Sequence, residues 1–105
     1  MILATIDAIP DRSVSEMIGL VRGSSVRSAH VGHDVMAKLK NLVGGEVPEY
    51  TKLLAEAREQ ALDRMVAEAR ARGANAILGV RFASSDISDD AAEILVYGTA
   101  VRLEG

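Results

Sequence analysis

Cysteine is absent from the 105-residue sequence, and aromatic residues make up only 3% of it. Without thiolates the chain forms no disulfides, zinc ribbons or iron–sulfur centres, and thiol catalysis is excluded. With no tryptophan, one phenylalanine and two tyrosines, it offers few rings on which the bases of single-stranded nucleic acid could stack. The net charge of -3 gives no excess of cations for phosphate groups. We therefore expect no nucleic-acid partner.

Long apolar runs are also missing. No stretch of the sequence approaches the roughly 18 apolar residues that a membrane span needs. The short apolar N-terminus lacks the basic flank of a secretory signal. These features predict no membrane association and a cytoplasmic location. The length is that of one hydrophobic core, so we expect a single domain over residues 1–105.

The spacing of apolar residues predicts an α+β fold with the element order ββααββ and an antiparallel sheet. Pro48 is typical of a first helical turn, and Gly73 is typical of a helix end. The charged residues before Gly73, with pairs one turn apart such as Glu68 and Arg72, predict a solvated helix face. The predicted strands are Ile2–Ile6, Val14–Gly23, 76–83 and Glu93–Leu103, and the predicted helices are 35–43 and 48–72. The polar segments 24–32 and 84–90 are predicted to be loops.

Both faces of the predicted sheet are apolar. Strict alternation places Leu78 and Val80 on one face and Ile77 on the other. Two helices can cover one face, and we expect no other part of the chain to cover the second. The aliphatic residues expected on that second face are either those of one parity, Met17, Val21, Ile77, Ile94 and Val96, or their neighbours of opposite parity. The glycines Gly19, Gly79 and Gly98 would let another layer approach it, and glycine within a strand can equally mark a β-bulge. Exposed aliphatic patches usually mark interfaces, so we expect a homo-oligomer with closed cyclic symmetry.

Several motifs then appear in a recognisable order. They are Val43-Gly-Gly45, Tyr50, Leu54, Ala57-Arg58, the run from Arg70 to Phe82, and Gly98-Thr-Ala-Val101. Together, over nearly the whole chain, they resemble the YbjQ-like family of small bacterial proteins, also labelled a "putative heavy-metal-binding" domain. The resemblance implies helices on one face of the sheet, a fold similar to the dodecin subunit, and assembly into pentameric rings or stacked pairs of rings. It implies no settled activity.

The chain departs from the family pattern in two places. The loop from Asp86 to Ala92 replaces a more glycine-rich turn, and His30 and His33 stand where other members carry other residues. Asp34 fits the pattern. No histidine-based site is therefore carried over from the family.

His30 and His33, followed by Asp34, are the candidate metal ligands. On one helical turn, residues three apart face the same way, so two imidazoles and a carboxylate can meet one divalent ion. Gly32 lies between the histidines, and no further ligand is evident nearby. Copies around a ring would supply the missing ligands. The alternative is a polar helix entry in which Asp34 stabilises the first turn.

Other candidate chemistry is less well supported by the sequence. Serines at 24, 25 and 28 precede His30, but no strained Gly-x-Ser-x-Gly elbow surrounds them, as nucleophilic hydrolases of that type require. The aspartates at 86, 89 and 90 lack the glycine and the final glutamate of a calcium-binding hand. Catalytic residues are not assigned.

Three classes of function remain open. The first is a ring-forming protein that holds a small ligand or metal ion at subunit clefts. The second is a structural interaction module without a ligand, and the third is an enzyme whose site is assembled between adjacent subunits. Catalytic residue types are scarce in the sequence, so the first two classes are favoured over an enzyme.

Overall fold

The computed structural model describes residues 1–28, 48–88 and 91–105. Over these residues, four strands form one sheet and one helix packs against it. The elements are β1 (Ile2–Leu3), β2 (Val14–Ser28), α1 (Pro48–Ala71), β3 (Ala76–Ser88) and β4 (Ala91–Leu103). Their order across the sheet is β1-β3-β4-β2. The predicted α+β class is confirmed, and the first predicted helix, 35–43, lies outside the described residues.

β1 pairs parallel with β3, so the prediction of a wholly antiparallel sheet is wrong at this edge. β4 is antiparallel to both β2 and β3, as predicted. Backbone bonds continue the parallel contact past β1, because the Gly79 N–H donates to the Ile6 carbonyl at 3.0 Å. The cause is the path of the chain, which leaves β1 at one edge of the sheet and enters β2 at the other edge.

α1 agrees closely with its prediction. It begins at Pro48, as expected, and ends at Ala71 rather than Arg72. Gly73 follows with a φ of 88°, and its N–H donates to the Arg70 carbonyl at 3.0 Å. Glycine takes this left-handed conformation without the steric cost of a Cβ, and it therefore stops the helix here.

The main core lies between α1 and the sheet. Its buried apolar residues are Val21, Ala57, Ala61, Met65, Ala69, Ala74, Ile77, Val80, Ile94, Val96 and Ala100. The side chains that α1 contributes are mostly alanines, so the helix backbone comes close to β2. At Gly23 a Cβ would lie 2.5 Å from the Met65 nitrogen and 3.1 Å from the Arg64 Cβ. Gly23 is thus the position at which the helix and the sheet touch.

A second, smaller core lies on the other face of the sheet. Buried Ala76, Leu78, Val101 and Leu103 pack there against Ile2, Ala4 and Ile9 of the N-terminal segment. The expectation that no other part of the chain could cover this face is therefore wrong at this end. Of the two alternative sets of aliphatic residues, the one with Val21, Ile77, Ile94 and Val96 is buried on the helix side, so the residues of opposite parity lie on this face. Met17 is 68% exposed.

A β-bulge at Gly79 explains the wrong face assignment in β3. The register with β4 shifts between Leu78 and Arg81, and Gly79 has a φ of 62°. The extra residue turns Val80 to the helix side, beside Ile77, whereas strict alternation had grouped Val80 with Leu78. Gly98 faces this bulge, because a Cβ there would lie 2.7 Å from Ile77 Cγ2. It accommodates its own sheet rather than another layer.

Candidate functional site

The sequence-predicted metal ligands His30, His33 and Asp34 lie outside the described residues, as do Asp89 and Asp90. Within residues 1–28, 48–88 and 91–105, no group of three or more His, Cys, Asp or Glu side chains is placed to hold a metal ion. The described part of the chain therefore offers no donor set that fits a heavy metal.

The serines of β2 have structural partners. Ser25 is fully buried, and its hydroxyl donates to Gln60 Oε1 at 2.7 Å. The bond ties the sheet to α1, as buried polar groups require. The carbonyl of Ser24 accepts from Arg64 Nη1 at 2.6 Å. These contacts assign both serines to the helix–strand interface, and no histidine lies among the described residues to act as a base.

Side chains of α1 close the outer edge of β2 along its first part. Arg72 donates through Nη1 to the Leu20 carbonyl at 2.8 Å and through Nη2 to the Ile18 carbonyl at 3.0 Å. Glu68 accepts from the Arg22 N–H at 3.3 Å. The predicted Glu68–Arg72 pair is confirmed, at 3.7 Å.

This role of the charged stripe was missed from the sequence. The stripe was predicted to be a solvated face, and its only signal is the four-residue spacing of Arg64, Glu68 and Arg72. That spacing places all three on one side of α1. It does not reveal that a strand edge runs beside them.

The N-terminal segment closes the outer edge of β3 in the same way. The Ala4 N–H donates to the Ile77 carbonyl at 3.0 Å, and the Val80 N–H donates to the Ala4 carbonyl at 3.0 Å. Arg81 Nη1 then reaches the Thr5 carbonyl at 2.8 Å. The closed part of β3 therefore ends near Arg81.

Both edges are open in the remaining part of the sheet, which we call the distal half: 25–28 of β2, 82–88 of β3 and 91–95 of β4. In the described chain, we find no hydrogen bond to the outward backbone groups of β2 beyond Ser24 or of β3 beyond Arg81. Outward and inward groups alternate along an antiparallel strand. The backbone groups of Leu20, Arg22 and Ser24 point away from β4. The backbone N–H and carbonyl of Val26 therefore also point away from β4.

The same alternation identifies the outward residues of β3. Tyr97 pairs with Arg22 and with Arg81. Because the backbone groups of Arg22 point away from β4, those of its partner Tyr97 point to β3. The backbone groups of Arg81, which pairs with Tyr97, therefore point to β4. The backbone groups of Phe82 and Ser84 therefore point away from β4, toward the outer edge of β3.

Apolar side chains are exposed along these strands. In the distal half, Val26 is 52% and Phe82 48% exposed. Exposed aliphatic and aromatic side chains next to unpaired backbone groups are typical of a surface that pairs with another chain.

A polar groove lies where α1 diverges from the end of β2. It has a volume of about 530 Å³ and is lined by Arg27, Lys52, Ala55, Glu56, Glu59, Gln60 and Asp63. Arg27 Nε is buried there without a hydrogen-bond partner among the described residues. The groove combines two cations with three carboxylates, so the charge of its lining is mixed and gives no excess of cations for an anion.

Comparison with known proteins identifies close relatives over the whole chain. A family model, YbjQ_1, with the description "Putative heavy-metal-binding" matches residues 1–104. A UPF0145 protein of Thermus thermophilus is 56% identical over 104 residues, covering 99% of this chain and 91% of that protein. A UPF0145 protein of Hahella chejuensis is 53% identical, covering 99% and 100%. A third, from Archaeoglobus fulgidus, is 52% identical, covering 98% and 95%.

A solved structure shares the fold. It is a protein with unknown function of the DUF74 family from Pediococcus pentosaceus, with a TM-score of 0.66. It covers 99% of this chain and 98% of its own, at 11% identity. An identity this low carries the fold alone. Among the described residues, no helix has the length and apolarity to cross a membrane.

Proposed function

This chain belongs to the YbjQ family, and on that premise we propose that it is a cytoplasmic homo-oligomer, a pentameric ring of dodecin-like subunits, that binds a divalent metal ion or another small ligand at clefts between subunits. The observation that carries this proposal is the distal half of the sheet, where no hydrogen bond from the described residues reaches the outward backbone groups of either edge strand. Unpaired strand edges are a liability that proteins normally cover. A second copy of the same chain can pair with these edges wherever the protein is present.

The shape of the subunit supports assembly. Its radius of gyration is 17.2 Å, and its extents are 54 × 23 × 16 Å. A compact domain of about 100 residues has a radius of gyration near 13 Å. The excess arises because long strands extend away from the two cores. Such a shape leaves apolar and backbone groups in water unless another molecule covers them.

Assembly also bears on the ligand chemistry. The described residues lack a metal-donor cluster, so a metal site in this protein would use His30, His33 and Asp34 from more than one copy. The family description is compatible with such a shared site. The polar groove beside Arg27 is the alternative place for a small ligand.

Calorimetric titration tests the metal site. We expect zinc, nickel or copper to release heat on binding the wild-type oligomer, and the affinity to fall more than about tenfold in a His30→Ala, His33→Ala double variant. Asp63→Asn, in the groove, is the matched control and should bind metal like the wild type. Titration without any heat that depends on the two histidines would remove the metal site from the proposal.

An interaction module without a ligand is the second candidate. It is favoured by the lack of a donor cluster in the part of the chain that the structure describes. Elemental analysis and native mass spectrometry of the purified oligomer separate the two candidates. Bound metal or a retained small molecule supports ligand binding, whereas a ring of bare polypeptide that gives no heat with any metal supports the module.

A further inference from the structure

We propose that the subunits join by parallel pairing of strand edges: the open edge of β3 in one copy lies beside the open end of β2 in the next copy. This inference rests on the proposed ring and specifies its interface. The contact is heterologous, because it joins two different surfaces of the chain. Heterologous contacts close into a ring when the rotation from one copy to the next divides a full turn, and otherwise they form an open filament.

Strand direction supports this arrangement. β2 and β3 are both antiparallel to β4, so they run parallel to each other at opposite edges of the sheet. Their open stretches lie at the same end, since Val26 and Ser85 both pair with Glu93. A rotation about an axis that runs roughly parallel to the strands therefore brings β3 of one copy beside β2 of its neighbour, and both strands keep their direction.

The closed edges direct the contact to the distal half. The first part of β2 is already bonded to Arg64, Glu68 and Arg72, and the first part of β3 is bonded to the N-terminal segment. A two-fold pairing of β3 with β3 would satisfy one open edge and leave that of β2 in water. A pairing of β3 with β2 uses both open edges of every copy with a single kind of contact.

Charge is complementary across the proposed contact. Arg27 of β2 and Asp86 of β3 both pair with Ala92, so they lie on the same face and at the same end of the sheet. In the joined sheet, Asp86 of one copy approaches Arg27 of the next. Arg27 Nε lacks a partner among the described residues, and a cross-strand pair of opposite charges is favourable.

Proline substitution at the outward positions tests the pairing directly. The N–H groups of Val26 and Ser84 point away from the sheet of their own subunit, so Val26→Pro and Ser84→Pro remove donors that only a neighbour would use. We expect both variants to be monomers by native mass spectrometry at micromolar concentration. Val26→Ala and Ser84→Ala keep the N–H and should assemble like the wild type.

Mixing the two proline variants distinguishes the two kinds of contact. Each variant keeps the edge that the other has lost, so an equimolar mixture should form a one-to-one heterodimer and nothing larger. If β3 paired with β3, Val26→Pro would still assemble and the mixture would not rescue Ser84→Pro. Either of those results overturns the inference. A wild-type oligomer that both proline variants preserve also overturns it, while leaving the ring itself intact.

Disulfide cross-linking provides a second measurement that does not depend on tolerance of proline. The chain has no cysteine, so every bridge would come from introduced residues. Val26→Cys combined with Ala83→Cys or with Ser85→Cys places both thiols on the face away from α1. Neighbouring strands lie about 4.8 Å apart, within the reach of a disulfide.

Oxidation should yield a ladder of covalent multimers up to the size of the ring. Val26→Cys with Ser84→Cys is the matched control, because Ser84 is on the opposite face, and it should cross-link at least about tenfold more slowly, since thiols on opposite faces cannot reach the geometry of a disulfide. Cross-linking of the control as fast as that of the test variants would overturn the inference. Covalent dimers without larger multimers from the Val26→Cys, Ser85→Cys double variant would also overturn it. A monomeric wild type would instead refute the proposed ring itself.

Discussion

Gly23 shows how a single residue sets the distance between the helix and the sheet. The backbone atoms nearest to its missing Cβ belong to Ala61 and Met65, in the middle of α1. A side chain here would meet the backbone of a helix, which cannot move aside like the end of a flexible side chain. The alanines Ala57, Ala61 and Ala69 on the buried face of α1 serve the same close contact.

We predict that Gly23→Ala lowers the free energy of unfolding by about 2–3 kcal/mol, because the added methyl group forces α1 away from the main core. Urea denaturation at one fixed protein concentration measures the change, since assembly links stability to concentration. Gly105→Ala is the control, because no atom lies within 4 Å of a Cβ there. Equal stability of Gly23→Ala and the wild type would contradict the packing described for α1.

At the scale of elements, the two edges of the sheet are closed by different means. An N-terminal strand covers the first part of β3 with backbone bonds, whereas arginine and glutamate side chains cover β2. Arg72 contributes most, since its planar guanidinium reaches two carbonyls at once.

We predict that Arg72→Gln lowers the free energy of unfolding by about 1 kcal/mol, since it removes two charge-assisted hydrogen bonds at a partly exposed site. Arg70→Gln removes the same charge from the same helical turn but touches no strand edge, and it should change stability by less than about 0.5 kcal/mol. Urea denaturation of both variants decides the point. An equal loss in the two would mean that charge at the helix end, rather than closure of β2, is what stabilises the fold.

Sequence reasoning predicted α1 well and the strand ends poorly. Pro48 and Gly73 are strong local signals for the two ends of a helix, and both agree with the structure. The serine-rich ends of β2 and β3 are typical of loops, yet both continue as strands to Ser28 and Ser88. Their pairing partner, β4, is distant in the sequence, so local composition cannot reveal the pairing.

Sequence reasoning failed for other reasons to predict the faces of β3 and the candidate site. Alternation fails after Gly79, because a bulge there adds one residue. Gly79 itself is a sequence signal for a bulge, but a strand glycine equally allows close approach of another layer, so the sequence could not decide between the two. The histidine motif was visible from its spacing, but His30 and His33 lie outside the described residues, so the metal site stays a prediction. The spacing of Arg64, Glu68 and Arg72 showed that they share one side of α1, but it did not show that they bond to the edge of β2.

At the scale of the whole molecule, the subunit has a closed end and an open end. The smaller core and both closed edges lie toward the end of the sheet that holds the N-terminal segment, and the main core extends from there as far as Ile94. In the distal half, the edges have no partner within residues 1–28, 48–88 and 91–105, and Val26 and Phe82 are exposed. This asymmetry explains why the chain is more extended than a compact domain of its length.

The mass of the wild-type protein in solution, measured by native mass spectrometry at micromolar concentration, tests the account most directly. We predict a discrete species of five copies of the 11.1-kDa chain, or a stacked pair of such rings, with no stable monomer. A stable monomer at that concentration, with the distal strand edges exchanging their amide hydrogens freely with water, would contradict the account.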